Sequence, residues 1–286
     1  MLTEGSGMGQ WTVAGPMGLA FDEVTTVKVR LIAGSVAVLA TEGTPSLDVQ
    51  EVKGDPIQVT YEDGVLTISH PNLTWDGLLK WLRPQRHSAD LTVRVPKTCV
   101  TQLGVVSATA VLSGVSGRSS VKSVSGGITL DGLSGDVDAN TVSGVVEAQG
   151  LNGKLNFNTV SGDLTVADGW LERLDANSVS GDVTADIDLD PLGGIHVTTV
   201  SGDVTLRLAA EAEAAVNLHS MSGDVRSEFE SLRRSTMPAS HSVSGSLGGG
   251  SGHVSVTTMS GRVMLLRRAP RDTVPESDEQ MEGEAS

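Results

Sequence analysis

The sequence predicts an all-β protein, a parallel β-solenoid (β-helix) of about nine rungs preceded by a small β-rich N-terminal module. Three observations predict it. A [Ser/Thr]-[Val/Met]-Ser-Gly motif recurs between Val106 and Leu266. A nine-residue half-period is visible at Gly117, Gly126, Gly135, Gly144, Gly153 and Gly162. Glycine is abundant, at 34 of 286 residues, while aromatics make up only 3%, so the core is aliphatic and turns are frequent.

Internal repeats outrank other signals, because missing one misassigns the fold. The motif's serine and glycine stand at Ser125-Gly126, Ser143-Gly144, Ser161-Gly162, Ser180-Gly181, Ser201-Gly202, Ser222-Gly223, Ser244-Gly245 and Ser260-Gly261. The glycines are spaced by 18, 18, 19, 21, 21, 22 and 16 residues. An earlier turn, Val106-Ser107-Ala108, lacks the glycine. Two residues before each glycine stands Val or Met, and two after it an aliphatic residue, from Ile128 to Val263. Rungs of a β-solenoid pair in parallel about 4.8 Å apart, so like stacks on like. Aliphatic columns then form a core that no single rung could bury. The Ser and Thr columns are expected to share hydroxyl hydrogen bonds between rungs, and the glycines to supply the positive φ of a sharp bend. Asn140, Asn158 and Asn177 occupy one column, as an asparagine ladder would.

Residues 1–20 read as a flexible segment, 21–105 as the N-terminal module, 106–266 as the repeat domain and 267–286 as a disordered acidic tail. The module shows alternating strand patterns with turn signals between them, Asp63-Gly64 being a hairpin turn. It is expected to cap the solenoid, whose open end would expose unpaired backbone. A short amphipathic helix is expected near 74–83, between Thr74 as N-cap and Pro84 as stop. Trp75, Lys80, Trp81, Arg83 and Arg86 make that segment the candidate interaction site, for a partner or a membrane surface.

Net charge is −15, with six acids and no base after Arg271. Such a balance argues against nucleic acid as partner. The N-terminus lacks the basic and apolar regions of a signal peptide, and no run is long enough for a spanning helix. The expected localisation is cytoplasmic, with peripheral envelope association.

Val179-Ser-Gly-Asp-Val183, Val200-Ser-Gly-Asp-Val204 and Met221-Ser-Gly-Asp-Val225 follow a module ending in Val93-Arg-Val-Pro-Lys97. In these features the chain resembles the bacterial DUF4097 family of β-strand repeat proteins, whose members are labelled candidate adhesins. The resemblance spans about residues 21 to 266. It implies a β-solenoid, no catalytic residues and a setting near cell-envelope stress systems.

No catalytic, cofactor or metal site is expected. A repeated serine column is not a nucleophile, which needs one positioned base and an orienting group. Asp163, Asp182, Asp203 and Asp224 follow the anchor glycine in four turns, and stacked carboxylates could hold calcium. The plainer reading is that each accepts backbone N–H bonds at its bend. His219 and His241 are expected to be neighbours in one column, and Asp188 and Asp190 to be solvated. The function implied is a non-enzymatic scaffold or adhesin-like interaction protein, acting on a protein partner or on itself. The alternatives are a module binding polysaccharide, lipid or peptide on a polar ladder face, and a carbohydrate-active β-helix enzyme.

Overall fold

The computed structural model describes residues 3–5, 8–70, 87–237 and 240–269. Among them every helix-free regular element is a strand, and no helix long and apolar enough to cross a membrane is present. The segment Trp75–Arg86 with its expected helix, and the tail from residue 270, lie outside the described residues.

The N-terminal strands are β1 (Thr3–Gly5), β2 (Gly9–Val13), β3 (Met17–Phe21), β4 (Thr26–Leu31), β5 (Gly34–Ala40), β6 (Ser46–Lys53), β7 (Ile57–Glu62), β8 (Val65–Ser69) and β9 (Ser88–Val95). The middle strands are β10 (Val100–Val105), β11 (Thr109–Ser113), β12 (Ser119–Ser123), β13 (Ile128–Asp131), β14 (Ser134–Thr141), β15 (Val146–Gln149), β16 (Asn152–Thr159), β17 (Leu164–Asn177), β18 (Val183–Thr199) and β19 (Val204–Ala209). The last are β20 (Ala214–Ser220), β21 (Val225–Ser227), β22 (Arg233–Met237), β23 (Ser240–Leu247), β24 (Gly252–Thr258) and β25 (Val263–Arg268).

Two parallel ladders face each other across an aliphatic core. The first runs β8–β4–β10–β12–β14–β16–β17–β18–β24–β20. The second runs β9–β5–β11–β13–β15–β17–β18–β19–β25–β21, with the long β17 and β18 serving both. Register is strict: Ile128, Val146, Leu164, Val183, Val204, Val263 and Val225 stack in one column, each at most 2% exposed. Burying one such side chain stabilises by roughly 1.5–3 kcal/mol, which is why the column repeats.

The N-terminal region does more than cap. Its β4 and β5 already stack in parallel on β10 and β11, and β8 and β9 stack outside them. The covering strands are antiparallel: β7 then β2 on one ladder, β6 then β3 on the other. The first twenty residues, expected to be flexible, therefore contribute the outermost strands, with Leu19 at 1% exposure. Apolar spacing in Met17–Phe21 carried that signal, but the strand is only five residues long. The Asp63-Gly64 turn joins β7 to β8 as a hairpin, with φ 47° and 75°.

At the other end chain order and stacking order part. The last turn, β24–β25, lies between β18–β19 and β20–β21. The stretch before it, β22–β23, is an antiparallel hairpin laid on β20. Ser244 and Gly245 lie in that hairpin, so the motif there is not a rung of the ladders. Antiparallel pairing also sets His219 opposite Ser242 and His241 opposite Ser220, which undoes the expected histidine column. His241 Nδ1 instead donates to the Gly223 carbonyl at 2.8 Å.

Candidate functional site: the outer face of the first ladder

The repeated motif builds a corner, and the corner decides which side chains reach solvent. The Ser/Thr of each motif in the ladders turns inward. Its hydroxyl accepts the N–H of the glycine three residues on, as Thr141 does for Gly144 (2.8 Å), Ser178 for Gly181 (2.7 Å) and Thr258 for Gly261 (3.0 Å). In this column the bond lies mostly within the turn, although the Ser220 hydroxyl also donates to the Gly261 carbonyl of the neighbouring rung at 3.0 Å. The bond between rungs comes from the next serine. Both the N–H and the hydroxyl of Ser143 donate to the Val124 carbonyl, at 2.9 and 3.2 Å. Ser161, Ser180, Ser201, Ser260 and Ser222 repeat this on Val142, Val160, Val179, Val200 and Met259.

The anchor glycines are not needed for positive φ, which none of those in the ladders shows. They are needed for close approach. A Cβ on Gly144, Gly162, Gly181, Gly202, Gly261 or Gly223 would lie closer than 3.0 Å to the carbonyl oxygen of the glycine stacked beneath it. No side chain fits there.

The Val/Met of each motif in the ladders from Val142 on points out, whereas Val243 in the hairpin is buried. Val142, Val160, Val179, Val200, Met259 and Met221 are 43–51% exposed and follow one another along the stack. The sequence suggested core for every aliphatic column. Alternation explains the difference, since Val137, Ala139 and Thr141 face inward and so Val142 faces outward.

Next to this ridge runs the asparagine ladder. Asn158 Nδ2 donates to Asn140 Oδ1 and Asn177 Nδ2 to Asn158 Oδ1, both at 3.1 Å. The neighbouring columns are polar or charged, with Asn156 donating to Asp138 at 3.2 Å. Together they line an open groove of about 520 Å³, from Arg118 to Asn177. A second groove of about 400 Å³ continues it towards β4, lined among others by Lys28, Arg30, Gly104 and Lys122.

Each carboxylate of the aspartate column has a hydrogen-bond donor. Asp163 Oδ1 accepts the N–H of Asp182, and Asp182 Oδ1 that of Asp203 (2.9 and 2.8 Å). Asp203 then accepts the N–H of Arg262 at 2.8 Å and its guanidinium at 2.9 Å, so Arg262 separates Asp203 from Asp224. The Arg226 guanidinium, seconded by Arg234, holds the Asp224 carboxyl below the usual range. The described residues contain no group of three His, Cys, Asp or Glu placed to hold a metal ion. Asp188, expected to be solvated, pairs with Arg268, which also bonds Asp186 at 2.9 Å. One buried base stands apart from the face. His70 is 2% exposed, and burial lowers its pKa to about 4.

The repeated motif has a counterpart among known families. The model of the Toastrack DUF4097 family matches residues 77–266. The chain belongs to the DUF4097 (Toastrack) family. The resemblance carried by the repeated Val-Ser-Gly-Asp-Val turns is thereby shown. No curated protein sequence matches the chain. Solved structures similar to it include two from Parabacteroides distasonis. One is named as a candidate adhesin, with 12% identity over 94% of this chain and 100% of its own, at TM-score 0.43. The other is named as a candidate lipid-binding protein, with 13% identity over 93% and 99%, at TM-score 0.43. A candidate adhesin from Bacteroides fragilis shares 11% identity over 92% and 99%, at TM-score 0.34.

Proposed function

We propose that this Toastrack protein is a non-enzymatic, adhesin-like binding protein that holds an extended polysaccharide along the outer face of its first ladder. The observation that supports this most directly is the continuous asparagine ladder over an open groove. Amide groups repeated at strand spacing suit a ligand that itself repeats, such as a sugar chain with its hydroxyls. The exposed Val/Met ridge beside them suits the apolar faces of sugar rings. The expected scaffold role agrees with a binding rather than a catalytic part.

The test is binding of the labelled full chain to an array of neutral and charged polysaccharides. Asn158→Ala is expected to weaken capture at least tenfold while leaving the melting temperature within a few degrees, because Asn158 bonds only other side chains on the open face. Captured polymer should gain no reducing ends on incubation. Failure of every polysaccharide to bind, or cleavage of one, removes the reading.

A further inference from the structure

The groove next to β4 differs in kind from the rest of the face. It is lined by four cations, Lys28, Arg30, Arg118 and Lys122, and one carboxylate, Asp138. Arg118 and Asp138 pair with each other at 3.3 Å. That leaves 4 − 1 = 3 positive charges, in a chain whose net charge is −15. Lys28, Arg30 and Lys122 make no hydrogen bond or ion pair among the described residues, whereas the exposed Lys53 and Lys97 are paired with Glu51 and Glu42.

Register explains their arrangement. Arg30, Gly104 and Lys122 are successive members of one outward column. Gly104 puts no side chain between the two cations, and the Arg30 stem lies against it, with its Cγ 3.8 Å from where a Cβ would stand. Arg30 and Lys122 therefore stand on backbones roughly 9.6 Å apart, two strand spacings, with no side chain of the middle strand between them. Lys28 lies two residues from Arg30, roughly 6.6 Å along the strand.

We propose that this basin binds the carboxylates of an acidic polysaccharide, a chain of uronate-type sugars running along the stack. The inference rests on the polysaccharide reading above and names its chemical class. The unpaired charges lie on two strands, β4 and β12, on either side of the uncharged β10, not gathered at one point, which matches a ligand with repeated charges better than a single small anion. Gln102 and Ser120 line the same basin and can bond sugar hydroxyls. The asparagine ladder continues the track, since Lys122 is followed in its column by Asn140. A lipid surface is a poorer match. The apolar residues in the basin, Val29 and Leu103, are at most 3% exposed, so nothing there can insert. A nucleic acid strand is poorer still, because no aromatic side chain lines the basin for base stacking.

The experiment is calorimetric titration of the full chain with polygalacturonate, with dextran as neutral polymer, phosphatidylglycerol vesicles and an oligothymidylate as other anions. Polygalacturonate is expected to bind most tightly and to weaken as salt rises. The Lys28→Gln, Arg30→Gln, Lys122→Gln triple variant should bind it at least tenfold more weakly. The Lys53→Gln, Lys97→Gln variant should bind as the parent does, and thermal melts should show both variants folded. Absence of polygalacturonate binding, or equal binding by the triple variant, overturns the proposal. Tighter binding of vesicles or oligothymidylate overturns the ligand class. Dextran bound as well as polygalacturonate, and lost with Asn158→Ala but not with the triple variant, overturns the acidic ligand while leaving the polysaccharide reading standing.

Discussion

From Gly144 to Gly202 each anchor glycine packs on the glycine of the preceding turn of chain, whereas Gly261 packs on Gly202 and Gly223 packs on Gly261. The contacts are the same in both regions. The Ser260 hydroxyl and N–H reach the Val200 carbonyl as Ser201 reaches Val179. What differs is how the layer is delivered. In the middle, the next 18 to 21 residues complete each open edge. At the C-terminal end a layer's width is left open, β20 and β21 form beyond it, and β24 and β25 return to fill it. The motif specifies a docking geometry that any two turns can share, and it leaves their order free.

The largest effect should come from removing the returning turn. A chain ending at Gly250 loses Val254, Val256, Val263 and Leu265, all buried to 0% exposure. At roughly 1.5–3 kcal/mol each, about 6–12 kcal/mol of burial disappears, comparable to the whole stability of a domain. It also leaves two facing edges unpaired, β18–β19 and β20–β21, which invites pairing between molecules. The expected outcome is aggregation on size exclusion and no cooperative melt by circular dichroism. A monomer with a sharp melt would show that the returning turn is not an integral layer.

The sequence carried much of this fold, and the parts it withheld have physical causes. Anchor glycines, the inward aliphatic column and the asparagine ladder were legible because parallel pairing in register makes them repeat. The outward Val/Met column was hidden by composition, since valine is as apolar at a corner as in the core. Layer order was hidden because Gly202, Gly223 and Gly261 carry equivalent columns. One residue did mark it. Arg262 follows its anchor glycine where Asp163, Asp182, Asp203 and Asp224 follow theirs. Chain order would stack Asp203 on Asp224, and the observed order puts Arg262 between them. The basic basin escaped notice because Lys28, Arg30 and Lys122 are far apart in sequence and meet only through the register of β4, β10 and β12.

A middle-sized effect compares the two regions directly. Gly181→Ala sets a Cβ against the Gly162 carbonyl, and Gly261→Ala sets one against that of Gly202. Overpacking of this kind costs about 1–3 kcal/mol or more. If the returning turn is docked as tightly as the central ones, the two variants should lose similar stability in urea denaturation. Gly127→Ala, where nothing lies within 4 Å, should change it by less than about 0.5 kcal/mol. A much smaller loss for Gly261→Ala would mean that the C-terminal layer is the looser one.

The smallest effect gives the sharpest test of stacking order. Asp203 and Arg262 have side chains 40% and 67% exposed, so their pair is screened and worth about 0–1 kcal/mol. Arg262→Asp goes further than removing the pair, because it completes an unbroken run of carboxylates from Asp163 to Asp224. Its loss of stability should exceed that of Arg262→Gln, and the excess should shrink in 1 M salt, where the screening length falls to about 3 Å. A double-mutant cycle between Asp203→Asn and Arg262→Gln should give a coupling of a few tenths of a kcal/mol. Asp182→Asn with Arg262→Gln should give none, since Asp203 stands between them. If the turns stacked in chain order, Arg262 would lie two layers from Asp203 and the first cycle would close to zero as well. A pair too weak to hold the fold together can therefore still report which turn of chain lies beside which.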